Sequence, residues 1–526
     1  MKKSTGIAAT GHAETSLAAT QILECGGNAF DAALAAMATA CVAEPMLASL
    51  GGGGFLTAKP AEEPACIYDF FVQAPGRRPG NQALDFYPIL ADFGTATQEF
   101  HIGMGSIAVP GVVAGLFEVH AHRCRLPMKE ILAPAADLAR RGVPMNAFQQ
   151  GISHILLPIL QADPAAMALV AAPEAPGRVA DAGASVFHPE QADTLEVLAS
   201  EGPDLFYRGE LASALVRDCA ERGGLLERSD LENYRVIQRE PVRFACHGAD
   251  FYFNSLPSPS GCLVAFALGL LDDQELSHQP WGHKRHCLSI AHAIQAANRL
   301  RRETRADTDL DEEKVRAILE PGHIDQWRSM MRDHPMASRG TTHISVADAE
   351  GNLASLTLSN GEGCAYVLPG TGIMLNNMLG EEDLSPEGFH RWQPGSRMAS
   401  MMCPSVASLP DGGWVALGSG GSNRIRSAVL QVLVNLFEFG MPLAQAVAAP
   451  RLHLEGNHLS IESGFAPDAL EALKAEWPDH REWPDYNLFF GGVHAVERLA
   501  DGGFQGAGDP RRGGAVASVG EGLLNS

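Results

Sequence analysis

No window of the 526-residue sequence holds 18 consecutive apolar residues, so no helical membrane span is expected. No apolar run of signal-peptide length follows Lys2-Lys3 before Gly11-His12, which makes a cytoplasmic protein the expectation. The ten cysteines, from Cys25 to Cys403, stand singly. Without a CxxC pair they suggest neither a zinc site nor a disulfide framework, and single buried thiols are the plain reading. Positive charge is scarce, 39 Lys and Arg against 62 Asp and Glu, for a net charge of −23. An acidic surface repels nucleic-acid phosphates and anionic lipid, which points to a small-molecule partner. The one dense basic stretch, Arg299-Leu300-Arg301-Arg302, falls in a helical pattern and reads as a solvated helix face. There is no low-complexity tract and no composition shift that marks a clean domain boundary before residue 340.

What is present is a chain with a 46% apolar content, enough for a sizeable core, in one very large domain or several ordinary ones. Residues 14–24 and 28–43 have helical patterns joined by Cys25-Gly26-Gly27-Asn28, with Asn28 as a helix cap. The second of these is apolar almost all round and therefore buried. Gly51-Gly52-Gly53-Gly54 leads into a strand at Phe55–Ala58. The order helix–loop–strand, with no GK[ST] ending, argues against phosphate binding and for close backbone approach. Residues 106–146 read as alternating strand and helix, ending in a helix around Leu132–Arg141. Residues 147–340 read as mainly helical, with a strand pair around 242–255.

The pattern changes at residue 341. Thr342–Ala347 alternates with β period, Asp348–Asn352 has turn chemistry, and Leu353–Ser359 forms a second strand. Thr341 heads this hairpin. A threonine hydroxyl needs a base within reach, and an amino-terminal threonine carries its own in the free α-amine, with a pKa near 8. Thr341 gains that amine only if the Gly340–Thr341 bond breaks, and glycine leaves the carbonyl open to Thr341 Oγ1. Ser359, at the far end of the hairpin, is placed to bond the Thr341 hydroxyl. The strand Trp414–Gly418 runs through Ser419-Gly420-Gly421-Ser422 into a helix near Arg424, and free amides in such a turn suit an oxyanion. Taken alone, Gly-Thr-Thr is also how an ordinary strand begins, and the serine-glycine turn an ordinary helix entry.

Motifs along the chain resemble the γ-glutamyltransferase family. Gly340–Val346 with Asp348 and Gly351-Asn352 looks like its processing site. Gly26–Ala33, Gly51–Phe55, Val109–Gly115, Phe206–Gly209, Pro257–Gly261, Leu375–Asn377 and Asp509–Arg512 follow in family order over residues 5–518. The resemblance implies an α+β fold, a four-layer αββα sandwich of the N-terminal-nucleophile hydrolase type. One precursor would be cut into two interlocked subunits, a helix-rich large region at 1–340 and a small region at 341–526 carrying the nucleophile. It implies an acyl-enzyme on Thr341, Ser359 as its partner, and Gly421 and Ser422 as the oxyanion positions, with γ-glutamyl amides such as glutathione as substrates and water or an amine as acceptor. No cofactor is implied.

The resemblance also assigns substrate contacts. Asp383 falls where the family binds the α-amine, Ser400 and Met401 where two serines bind the α-carboxylate, and Gly361 where an asparagine often stands, with Asn360 beside it. Phe71 stands where the family has the arginine that grips the glutamyl carboxylate, a charge-assisted bond worth about 1.5–3 kcal/mol. Arg77 and Arg78 lie nearby but are expected in solvent. Phe71 and Met401 leave the catalytic centre intact and the carboxylate clamp missing, which favours an acylase of the same fold acting on a less polar amide. A non-catalytic binding protein on this fold is the reading from another class.

Overall fold

The computed structural model describes residues 5–80, 83–92, 97–328, 341–385 and 387–524. Gly340, half of the expected cleavage junction, lies outside them.

Two antiparallel sheets form the centre. The first has eight strands in the order Gly522–Leu524, Ala515–Ser518, Gly6–Thr10, Thr342–Asp348, Leu353–Ser359, Gly53–Lys59, Cys66–Phe70 and Ile237–Arg239. The second has six, in the order Phe504–Ala507, Gly492–Arg498, Trp414–Gly420, Ser405–Ser408, Ala249–Phe253 and Val242–Cys246. Small and β-branched residues such as Ala9, Ala347, Val406, Ala416, Val496 and Val516 fill the space between the sheets. Alternate positions of the same strands face outward and are covered by helices, as period-2 side-chain alternation requires.

The helices Ala13–Glu24, Ala29–Ala43 and Met128–Arg141 close the outer face of the first sheet. All fifteen residues of Ala29–Ala43 are buried, as its all-round apolar pattern predicts, and Asn28 and Asp31 form a reciprocal capping box at its start. The helices Ser260–Leu271, Lys284–Glu303 and Arg424–Phe437 close the second sheet. The result is the expected αββα sandwich.

Both sheets combine strands from before and after residue 341; the first interleaves them, and the second adds Ala249–Phe253 and Val242–Cys246 at the edge of four later strands. The expected alternation of strand and helix over 106–146 does not form. Val112–Arg123 and Met128–Arg141 are helices, and the strand there is the two-residue Val143–Pro144. The apolar runs in that stretch bury helix faces against the first sheet instead.

Candidate active site

The hairpin register fixes the centre of the site. Thr342 pairs with Leu358, so Thr341 stands opposite Ser359 by continuation of the same ladder. Ser359 in turn pairs with Gly53 on its other side. The glycine run permits this packing. A β-carbon on Gly52 would sit 2.3 Å from the Ser359 carbonyl oxygen, which confirms close approach as the role of these glycines.

The second sheet delivers the opposite wall. The strand Trp414–Gly420 ends beside Thr341, and a β-carbon on Gly420 would lie 1.9 Å from the Thr341 carbonyl oxygen. Gly421 and Ser422 follow with φ of 119° and 48° before the helix Arg424–Phe437 begins. Two successive left-handed residues turn the backbone sharply. Neither amide has an acceptor among the described residues, which leaves both to serve an oxyanion.

One cavity joins these parts. It is lined by Thr341, Ser359, Gly361, Asp383, Ser400, Met401, Ser422 and Phe71 from the sequence reading. Its other lining residues are Met378, Glu381, Leu384, Met402 and Ile425, for which nothing in the local sequence pattern gave a signal. Its volume is only about 40 Å³, so a substrate must either be small or part the wall. Asp383 accepts a hydrogen bond from Ser422 Oγ at 3.2 Å, which ties the Glu382–Leu384 turn to the Gly421-Ser422 turn. Ser400 Oγ accepts from the Met402 amide at 3.2 Å, which fixes its oxygen and leaves its proton to donate. Asn360 does not line the cavity; it is fully buried, and its amide has no partner among the described residues.

The acyl end of the cavity is apolar. Phe71 is buried and stacks on Phe55, with ring centroids 5.4 Å apart. It packs with Met378, Leu379, Met398 and Met402. Two guanidinium groups lie behind this wall without lining the cavity: Arg426 sits 3.0 Å from Met401 Sδ, and Arg397 is engaged elsewhere. Arg397 donates to the Phe71 carbonyl and to Tyr234 Oη, and lies 3.6 Å from the buried Asp69. Arg77 pairs with Glu227, and Arg78 donates to the carbonyls of Arg391 and Trp392, so both stay outside as expected. No Lys, Arg or His lines the cavity among the described residues.

Beneath Thr341 lies a charged layer that the sequence reading did not foresee. Arg512 donates to the Thr341 carbonyl, while Glu44 accepts from Thr342 Oγ1 at 3.0 Å. Burial pushes the Glu44 carboxyl up to about 7, against the opposing pull of the Thr342 hydrogen bond and of Arg512. Burial likewise lowers Arg512 to about 10. The Asp509-Pro510-Arg511-Arg512 segment held the only hint of this layer, since charged doublets seldom sit in a core without a task.

A wider cleft of about 520 Å³ adjoins the cavity through Asp383. Arg301, Arg302 and Arg305 line it together with Asp307, Glu387 and Glu455. The basic stretch is therefore not a plain solvated face. Arg301 is tied to Asp307 at 2.8 Å and to Asn423 at 3.0 Å, next to the Gly421-Ser422 turn.

The four-layer sandwich with this hairpin places the chain in the N-terminal-nucleophile class of amidohydrolase enzymes. Comparison with known proteins narrows the class. The gamma-glutamyltranspeptidase family model matches residues 15–519, and the chain belongs to that family. It is similar to the acylase ACY 1 proenzyme of Pseudomonas sp. (strain V22), with 31% identity over 99% of this chain and 95% of that one. It is similar to the glutathione hydrolase proenzyme of Pseudomonas aeruginosa, with 29% identity over 94% of this chain and 91% of that one. The fold matches that of the cephalosporin acylase from Bacillus halodurans at a TM-score of 0.83, with 23% identity over 98% of this chain and 96% of that one.

Proposed function

We propose that the protein is a self-cleaving acylase that hydrolyses amides of apolar or uncharged acyl groups through an ester on Thr341. Thr341 Oγ1 adds to the Gly340 carbonyl carbon, the peptide nitrogen leaves with the hydroxyl proton, and water hydrolyses the ester. The products are a Gly340 carboxylate and a free Thr341 amine, with residues 1–340 and 341–526 held together by their shared sheets. In turnover the amine takes the hydroxyl proton as Oγ1 attacks the substrate amide. The Gly421 and Ser422 amides hold the oxyanion, and Ser359 holds the hydroxyl in line. The proton passes to the departing amine, and water or a second amine releases the acyl group. The proenzyme names of two relatives support the first step, and the acylase name of one supports the second.

The observation that carries this reading is the cavity wall of Phe71, Met378, Met401 and Met402, with no cation lining it among the described residues. An α-carboxylate buried there would lose its water and meet Glu381 and Asp383 instead of a guanidinium, a penalty of several kcal/mol. Asp383 at the rim favours one second reading, γ-glutamyl amides held by their α-amine alone. Initial rates on a panel of acyl anilides decide between them. An apolar or neutral acyl group should exceed γ-glutamyl-p-nitroanilide in kcat/KM by at least tenfold. A γ-glutamyl preference would overturn the proposal.

A further inference from the structure

Far from the nucleophile, the hairpin between strands Val242–Cys246 and Ala249–Phe253 turns on two residues, His247 and Gly248. Both have positive φ, 50° and 73°. A tight turn of this kind normally takes Asn-Gly, and a histidine in the left-handed region is unusual. The turn sits beside Asp272, just past the helix Ser260–Leu271. A ring nitrogen of His247, the Cys246 sulfur and a carboxylate oxygen of Asp272 then lie within 4.8 Å of one another.

The two faces of the imidazole are differently engaged. Nδ1 lies 3.3 Å from Glu438 Oε2, and Nε2 lies 3.5 Å from Asp272 Oδ1. Glu438 is itself fixed, because its other oxygen accepts from the Ser277 amide at 2.7 Å. A carboxylate on Nδ1 sets the tautomer that leaves Nε2 free to ligate, the usual outer partner of a metal-bound histidine. Tetrahedral zinc, with bonds of about 2.0–2.3 Å, holds its donor atoms about 3.3–3.8 Å apart. The observed nitrogen–oxygen separation is already in that range. Cys246 is buried, while His247 is partly exposed and Asp272 more so, which gives an ion a path in and a position for water.

We propose that Cys246, His247 and Asp272 form a site for a divalent transition ion of zinc type, with Glu438 orienting the imidazole and water as the fourth ligand. Sulfur and imidazole nitrogen select zinc or cobalt over magnesium or calcium. Binding replaces the thiol proton, which leaves to solvent, so affinity falls as pH falls. The site joins the hairpin turn to residues just past the ends of two helices. Ser260–Leu271 begins where Ser258 and Ser260 hold the carbonyls of Met402 and Met401 at 2.7 and 2.8 Å. Arg424–Phe437 begins just after the oxyanion turn. An ion here would brace both helices from the end opposite the catalytic cavity.

The test uses tag-free full-length protein, stripped with chelator and titrated with Co²⁺. One equivalent should produce visible d–d bands and a near-ultraviolet thiolate-to-cobalt charge-transfer band, both erased by Zn²⁺, and Zn²⁺ should raise the thermal midpoint. Cys246→Ser should lose the charge-transfer band. His247→Asn, which suits the turn, should weaken binding at least tenfold with an unchanged metal-free melting curve. A wild-type protein with no charge-transfer band, or a band that survives in Cys246→Ser, overturns the proposal.

Discussion

Arg512 Nη1 donates to the carbonyl oxygen of Thr341 at 3.2 Å, from a side chain that is itself buried. Its second nitrogen, Nη2, donates to the Leu488 carbonyl at 3.2 Å, and Glu362, Asp509 and Glu44 supply the surrounding negative field. Thr341 is thus anchored through its backbone carbonyl. Arg512→Ala would orphan the Thr341 and Leu488 carbonyls and unbalance three carboxylates, at about 2–4 kcal/mol of stability. Urea melts should show that loss, and denaturing electrophoresis should show uncut chain accumulating. Cutting at the wild-type rate would refute the anchoring role.

Thr341→Ala should leave a single full-length chain with no turnover, while Thr341→Ser should still cut, more slowly. Incubation followed by amino-terminal sequencing of the smaller band checks both. Turnover by Thr341→Ala would remove the residue from the mechanism altogether.

Phe71→Arg should raise kcat/KM for γ-glutamyl-p-nitroanilide by about 10–150-fold, the equivalent of one charge-assisted bond of about 1.5–3 kcal/mol. The same change should lower turnover of apolar acyl anilides, since it replaces a ring stacked on Phe55. Adding Met401→Ser should extend the gain. Unchanged selectivity in a folded double variant would show that this wall does not contact the acyl group.

Glu44 makes stability depend on pH in a stated direction. Burial raises its pKa from 4.5 in the unfolded chain to about 7 in the folded one, so the folded state binds the extra proton between those values. Its contribution is complete below about pH 4.5 and is lost as pH rises through 7. Glu44→Gln keeps an acceptor for Thr342 and removes the titration. The fall in thermal midpoint from pH 5 to pH 8 should therefore be smaller in Glu44→Gln than in the wild type. Equal falls in both would place the Glu44 carboxyl at an ordinary pKa.

The local pattern alone determined the hairpin, its turn and the capped, buried helix at Ala29–Ala43, because period-2 and period-3.6 burial are properties of short segments. It also marked Thr341, Ser359 and the Gly421-Ser422 turn, whose chemistry depends on residue type at strand and helix ends, and family resemblance supplied Phe71 and Met401. The tertiary structure decided the rest. Met378, Met402, Leu384 and Ile425 reach the cavity from separate segments, and no periodicity couples them. Arg512 finds Thr341 across a separation of 171 residues only because the strand Ala515–Ser518 pairs with Gly6–Thr10, which itself pairs with Thr342–Asp348. Cys246 and His247 looked like isolated residues until a left-handed turn and the end of a distant helix put Asp272 beside them. Long-range sheet register and burial, which no short window encodes, set these distances and the Glu44 charge state.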